Sequence, residues 1–571
     1  MTFFHQYNQR SLHFLNATQF LGALNDNIFK LLIVYFLISL EGETQATTIL
    51  SIVGAIFVIP FLLFSSAAGI LADKVSKRNV IVSMKILELI IMLVSLLGVV
   101  SKSPTLLYGT LFLMASQSAI FGPSKYGIIP EIVTPDQVAQ ANGVLTSFTF
   151  LAIIIGTFLA SFVTDVSNKH FVFAFSVCIG VALIGFLTSF GINKTDVKKS
   201  TKKFNPLFIV EIYKTLTLCY KRKYLLVSVI GSAFFLFLGG FVQLNTIPFA
   251  IQSLNLSDIG GGYLFLTTAV GIAIGSLVVG KLVKDHIGLN LSCLSGYVMS
   301  ILLLLLGFFP HNLGLVIALL VLLGFFGGIF IVPFDSFIQM RSPDARRGQI
   351  IAASNFLSFL GVLLASFALF LIGNVFSFSS ASGFIIMGLI CFGFTFVLSG
   401  RIADVFIPFF TEKLIVPFFS IKAPNLPPKN SLIIYEKTSK LNIIMLFSAL
   451  PDLKIIIYGK LNWKTLFLRI FFSTIFFIKR TDTNLSELIA KANDLKEKEG
   501  FVCVYITESI NEKVLQHTLT EQKTEENLFS DFIYLKTELH RIPMTLLKIA
   551  YKKKLFAIVF SKQNPRTESL H

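Results

Sequence analysis

Apolar runs of about twenty to thirty residues, separated by short polar stretches, follow one another from Ser11 to Phe406. At about 1.5 Å of rise per residue, each is long enough as a helix to cross a bilayer. Twelve such runs are read, at Ser11–Leu40, Thr47–Ala72, Asn79–Ser101, Thr105–Ile129, Ala139–Thr164, Phe171–Ile192, Tyr224–Gln252, Gly260–Val283, Gly288–Phe309, Leu313–Met340, Gln349–Val375 and Phe384–Phe406. A longer polar segment, 193–223, divides them six and six. The pattern predicts an all-α polytopic membrane protein with six-helix halves at 1–192 and 224–406.

The first run is polar at its centre, where Asn25, Asp26, Asn27 and Lys30 interrupt it. A charged side chain at mid-membrane depth costs about 2.5–3.5 kcal/mol on insertion scales, so such residues face a bundle interior or a watery cavity. On a helix, Asn16, Gln19, Ala23, Asp26 and Lys30 form one stripe at spacings of three and four. The stripe reads as a polar path. The competing reading is an Asp26–Lys30 pair that only holds helices together. The other in-span carboxylates are Glu88 and Asp335. Glu88 follows Lys85 by three residues, the spacing of a local ion pair. Asp26 and Asp335 are candidates for proton coupling. Gln117, Gln243 and Asn245 fit either a substrate path or hydrogen bonds between helices.

Loop charge alternates along the chain. One set of loops holds Lys74, Lys77 and Arg78, then Lys125, then the bases of 194–223, then Lys281 and Lys284, then Arg341, Arg346 and Arg347. The other set is nearly free of bases. The positive-inside rule places the first set, and both termini, in the cytoplasm. The composition agrees with a membrane protein: 54% hydrophobic, 14% charged, mean hydropathy +0.77. The net charge of +17 reads as cytoplasmic loops and anionic lipid contact, not nucleic acid. The first run is too long and too polar for a cleaved signal peptide. Five scattered cysteines, with no CxxC, suggest neither a disulfide framework nor a metal site, and no cofactor is expected.

After the second run the chain reads Gly69-Ile70-Leu71-Ala72-Asp73-Lys74-Val75-Ser76-Lys77-Arg78. Gly69 permits close helix approach. Asp73 can pair with a base or cap a neighbouring helix, latching one side shut together with Lys77 and Arg78. In register and position this loop resembles that between helices two and three of the major facilitator superfamily, whose fold is two six-helix halves related by a repeat. Further strings narrow the resemblance. The fourth run ends in Phe121-Gly122-Pro123-Ser124-Lys125-Tyr126-Gly127, and the fifth opens near Ala141-Asn142-Gly143. The tenth carries Val332-Pro333 and Gln339, and the eleventh opens with Arg347-Gly348 and continues through Asn355. With Phe20–Lys30, these resemble the bacterial lysophospholipid transporter family over roughly residues 14–404. Asp335 departs from that pattern, which has a neutral residue there.

The resemblance implies a carrier working by alternating access. It would move lysophospholipid, chiefly lysophosphatidylethanolamine, to the cytoplasmic leaflet of the inner membrane for re-acylation. Asp26, Asn27, Lys30, Lys125 and Asn142 carry over as path residues. The headgroup needs a cation for its phosphate and a carboxylate for its amine. Lys30 and Asp26 are read in those roles, with Gln117, Gln243 and Asn245 as hydrogen-bond donors.

From Ile407 the composition changes. Pro408 and Pro417 are read as helix breaks, and 407–428 as a linker. Beyond it, runs at Ser431–Tyr435, Lys454–Tyr458 and Val502–Thr507 read as strands and Leu485–Lys498 as a helix, giving a small cytoplasmic α/β domain over 429–571. Thr465–Ile478 reads as a buried or interfacial helix. The order of elements resembles the glycerolipid acyltransferase domain fused behind such transporters. Lys437 and Asn442 stand where its HxxxxD box has His and Asp, and Glu508 alone remains of its second box. A lysine is a poor replacement base. The tail is therefore read as degenerate and inactive, and a separate acyltransferase as a candidate partner. The competing functions are a carrier of another small solute or drug, a bifunctional transporter and acyltransferase, which would have to use His517, His540 or His571, and a scaffold that moves nothing.

Overall fold

A computed structural model describes residues 9–196, 200, 208–283 and 288–410, together with seven strands between 419 and 562. Twelve of the described helices are long and apolar enough to cross a membrane. The chain divides into two compact units, 1–395 and 396–571.

The first unit is a helical bundle. Its N-terminal half holds α1 (Gln9–Glu41), α2 (Ala46–Lys74), α3 (Lys77–Val100), α4 (Pro104–Ile132), α5 (Val138–Val166) and α6 (Phe171–Ser189). The second half holds α8 (Leu225–Leu254), α9 (Asp258–Leu282), α10 (Leu289–Phe308), α11 (Leu313–Arg341), α12 (Arg347–Phe370) and α13 (Ser380–Arg401). All twelve expected spans are thus present. Between the halves lies a helix absent from the sequence reading, α7 (Phe208–Tyr220), inside the expected linker. It is short and buries one stripe, Glu211, Ile212, Thr215 and Cys219, so it carries no membrane-length apolar signal.

Each half has its own packing. In the first, Phe29, Phe36, Phe171 and Phe175 meet edge to face between α1 and α6 within a continuous apolar core. The halves meet along α2 against α12 and α5 against α9. Both seams need small residues. A Cβ on Gly69 would lie 2.8 Å from Gln349 Cα and from Gly348 O, and one on Gly143 would lie 2.4 Å from Ser276 O. Without a hydrophobic drive between helices in lipid, backbones must approach this closely for dispersion to hold them.

The second unit contains a seven-stranded sheet: β1 (Phe419–Lys422), β2 (Ser431–Glu436), β3 (Lys454–Gly459), β4 (Ile475–Lys479), β5 (Val502–Ile506), β6 (Asp531–Leu539) and β7 (Lys554–Lys562). The order is β1-β7-β6-β2-β5-β3-β4, and every pair is parallel except β6 with β7. The expected strands at 431, 454 and 502 are there. Two readings are corrected. The C-terminal part of the apolar stretch 465–478 is strand β4, because Ile475-Phe476-Phe477-Ile478 is a run of β-branched and aromatic residues that pairs with β3. The helix α14 (Ala403–Phe410) continues past Pro408, where a break was expected. Leu485–Lys498, Lys437, Asn442, Glu508, His517, His540 and His571 lie outside the described residues.

Candidate functional site

Between the halves lies a cavity of about 380 Å3, lined by α1 to α5 from one half and α8, α11 and α12 from the other. Asp26 reaches it from the middle of α1. One oxygen accepts a 2.9 Å hydrogen bond from Ser118 on α4, whose hydroxyl also lies 3.1 Å from Gln117 Oε1. Gln117 is anchored by donating to Met84 O at 3.2 Å. Asn27 lines the cavity and donates to Ala23 O of its own helix. Lys125, one turn from Phe121 on α4, holds its ammonium 4.4 Å from the Tyr126 ring centre and 5.7 Å from that of Phe121. Asp335 enters from α11 and accepts a 3.0 Å hydrogen bond from Ser232 on α8.

The polar stripe of α1 is shared between different surroundings. Gln19, Ala23 and Asp26 face the cavity, Asn16 faces a separate groove beside α5, and Lys30 sets its ammonium 5.2 Å over the Phe57 ring. From Asn16 to Lys30 the stripe runs 14 steps, roughly 20 Å along the helix, and only its middle part lines the cavity. No Asp26–Lys30 ion pair within 4.0 Å exists. The pair that does form is Lys85 with Glu88, at 2.6 Å and almost fully buried, with Asn25 donating to the other Glu88 oxygen at 2.9 Å. Both charged residues line the cavity. This is the local ion pair that the three-residue spacing of Lys85 and Glu88 suggested.

Besides Lys30, three residues read as path residues stand away from the cavity lining. Gln243 is exposed, since α8 buries Phe241, Val242, Asn245 and Thr246 and position 243 falls on the other face. Asn245 donates to Ser380 O at 2.9 Å, tying α8 to α13. Asn142 is 1% exposed and joins the halves. It donates to Gln339 Oε1 at 3.0 Å and to Ser336 Oγ at 3.1 Å, and Gln339 donates back to its oxygen at 2.8 Å.

That amide pair is one of the polar contacts that join the halves, another being made by Asp73. The Asp73 carboxylate accepts from the backbone N–H of Gly348 at 2.7 Å and of Gln349 at 3.1 Å, capping the N-terminus of α12. These are orphan donors of a first helical turn, and the negative charge complements the helix dipole. Lys77 pairs with Glu131 at 2.6 Å, and Arg347 approaches the same Glu131 oxygen at 3.8 Å. Arg78 donates to Ile192 O at 3.3 Å within its own half. Of the four expected latch residues, Gly69, Asp73 and Lys77 thus lie at the contact between halves or in the network that reaches it.

Two six-helix halves around a central cavity lined by acidic and basic side chains, joined by hydrogen bonds at Asp73 and Asn142, have the architecture of a membrane transporter. The chain belongs to the Major Facilitator Superfamily, whose family model matches residues 15–366. It is similar to the lysophospholipid transporter LplT of Enterobacter sp. (strain 638), with 26% identity over 394 residues, covering 67% of this chain and 93% of that one. The lysophospholipid transporter LplT of Photorhabdus laumondii is 24% identical over 332 residues, 58% of this chain and 80% of that one. Among solved structures, the fold is similar to a major facilitator transporter, FucP, in the outward conformation. The TM-score is 0.56 at 15% identity, over 68% of this chain and 97% of that one. The chain is therefore a multi-pass secondary transporter.

Proposed function

We propose that this protein carries a lysophospholipid, lysophosphatidylethanolamine foremost, across the bacterial inner membrane to the cytoplasmic leaflet, where it is re-acylated. The observation that carries this reading is the mixed lining of the central cavity. Among the described residues Lys125 and Asp26 have no ion-pair partner within 4.0 Å, while Phe61, Phe121, Phe150, Phe235 and Phe359 supply apolar wall. A headgroup with a phosphate and an amine matches the first, and a single acyl chain the second. At about 380 Å3 the cavity lies near the small end of the ~300–1,000 Å3 of ligand pockets. The headgroup sits inside and the chain trails between helices.

Lys125 takes the phosphate in this reading, in place of Lys30, and Asp26 the amine. Water is largely excluded by the aromatic wall, so each charge-assisted contact is worth more than in bulk solvent. The basic loops put the latch on the cytoplasmic side, along with both termini. In this reading the cavity is entered from the opposite side. Substrate enters there, and its release requires Asp73 to leave α12 and Asn142 to part from Gln339. No step is assigned to the C-terminal sheet, and re-acylation falls to a separate acyltransferase. Names of relatives at about 25% identity support the same substrate class.

The test is uptake of labelled lysophosphatidylethanolamine by cells that lack their own carrier and express this chain with a separate acyltransferase. Uptake that Asp26→Ala abolishes is expected. Absence of uptake, with the protein shown in the membrane, would sink the assignment.

A further inference from the structure

The cavity is lined by five acidic and basic side chains, Asp26, Lys85, Glu88, Lys125 and Asp335. Lys85 and Glu88 satisfy each other at 2.6 Å, and Asn25 occupies the second Glu88 oxygen. The remaining three have no ion-pair partner within 4.0 Å among the described residues. Asp26 has one hydroxyl, Ser118, on one of its oxygens, and Asp335 has one hydroxyl, Ser232, on one of its oxygens. Lys125 rests against two aromatic rings. The unmatched set is thus two carboxylates against one ammonium, with the carboxylates on opposite halves of the protein.

We infer that Asp335 makes this cavity selective for headgroups that carry an amine, and against those whose only charge is the phosphate. The inference rests on the lysophospholipid reading above and deepens it. A phosphate has one ammonium to meet, at Lys125. A zwitterionic headgroup brings its own cation, for which a carboxylate is waiting on each half. A headgroup with phosphate alone brings a further anionic group to two carboxylates that have a single unpaired ammonium between them. In a partly dry cavity the carboxylates then have no cation to meet, which is the costly case for buried ions. Asp335 adds the second carboxylate: without it, a phosphate-only headgroup leaves only Asp26 unmatched and is penalised less.

The experiment uses the full chain, purified and reconstituted, and two lipids that differ only at the amine: lysophosphatidylethanolamine and its N-acetyl form. A hydrogen bond to a charged group contributes about 1.5–3 kcal/mol, so the native protein is expected to move the free-amine lipid about tenfold faster or more. Asp335→Asn, which keeps shape and removes charge, cuts the ratio several-fold, leaving the preference that Asp26 alone gives. Lysophosphatidylglycerol follows the N-acetyl lipid in both proteins. An unchanged ratio in Asp335→Asn, or equal rates in the native protein, would overturn the inference and leave the carrier reading standing. If Asp335→Asn moves neither lipid, the stabilisation each lipid gives the same purified variant against heat decides in its place, by the same ratio. Transport of neither lipid by the native protein refutes the carrier reading itself, and this inference with it.

Discussion

Replacing Asp73 by Asn tests the latch at its most economical point. The native carboxylate accepts from two backbone donors at the start of α12, at 2.7 and 3.1 Å. An amide can accept from one and sets its own NH2 against the other. One charge-assisted hydrogen bond is lost, worth about 1.5–3 kcal/mol. The favourable charge at the helix N-terminus goes too, worth about 0.3–1 kcal/mol. Together the closed arrangement loses about 2–4 kcal/mol relative to the open one, where Asp73 has no α12 to cap. That lowers the closed-to-open ratio about 30- to 700-fold. Ser354 lines the cavity, so Ser354→Cys reports access to it once the five native cysteines are replaced. In sealed vesicles of known orientation, an impermeant maleimide should label this thiol slowly from the basic side of the native latch. With Asp73→Asn the rate from that side should rise about tenfold or more. If labelling from the basic side is the same in both, Asp73 does not hold the halves together and the reasoning fails.

Other expectations follow from the same geometry. Lys85→Met should strand Glu88 as a buried unpaired charge and cost about 3–5 kcal/mol of stability, read as early thermal unfolding in detergent; adding Glu88→Leu should recover a large part of it. Asn142→Ala and Gln339→Ala should each leave a buried amide without its partner, at about 1–3 kcal/mol, while the double variant costs less than the sum, as a double-mutant cycle on melting temperature would report. Gly69→Val should force α2 from α12, because even a Cβ there meets backbone at 2.8 Å, and a thiol in the cavity should then label from the basic side.

The sequence made the helices legible because membrane spans announce themselves by length and apolarity. It also showed that Asp26 must face a polar interior, and it is in the cavity that Asp26 lies. Asp73 was readable as a helix cap because its loop motif fixes what surrounds it. Partners across the bundle were not readable. Asn142 and Gln339 are 197 positions apart, and periodicity tells which face of a helix a residue occupies but not which helix it meets. The same limit explains Lys30, one turn too far along α1, and Gln243, one position off the buried face of α8. In the second unit, three strands were visible as β-branched runs. Strand β6, Asp531-Phe532-Ile533-Tyr534-Leu535-Lys536-Thr537-Glu538-Leu539, alternates less clearly and escaped notice. The short helix α7 escaped because it lies among the bases of the linker.

The most direct test of a lipid carrier needs only the protein, a membrane and the substrate. Purified protein would be reconstituted into vesicles with fluorescent lysophosphatidylethanolamine confined to one leaflet, and its movement followed by loss of access to an impermeant quencher. The account predicts movement well above that of protein-free vesicles, abolished by Asp26→Ala and reduced by Lys125→Ala. Movement no faster than in empty vesicles, with a soluble solute crossing instead, would contradict it.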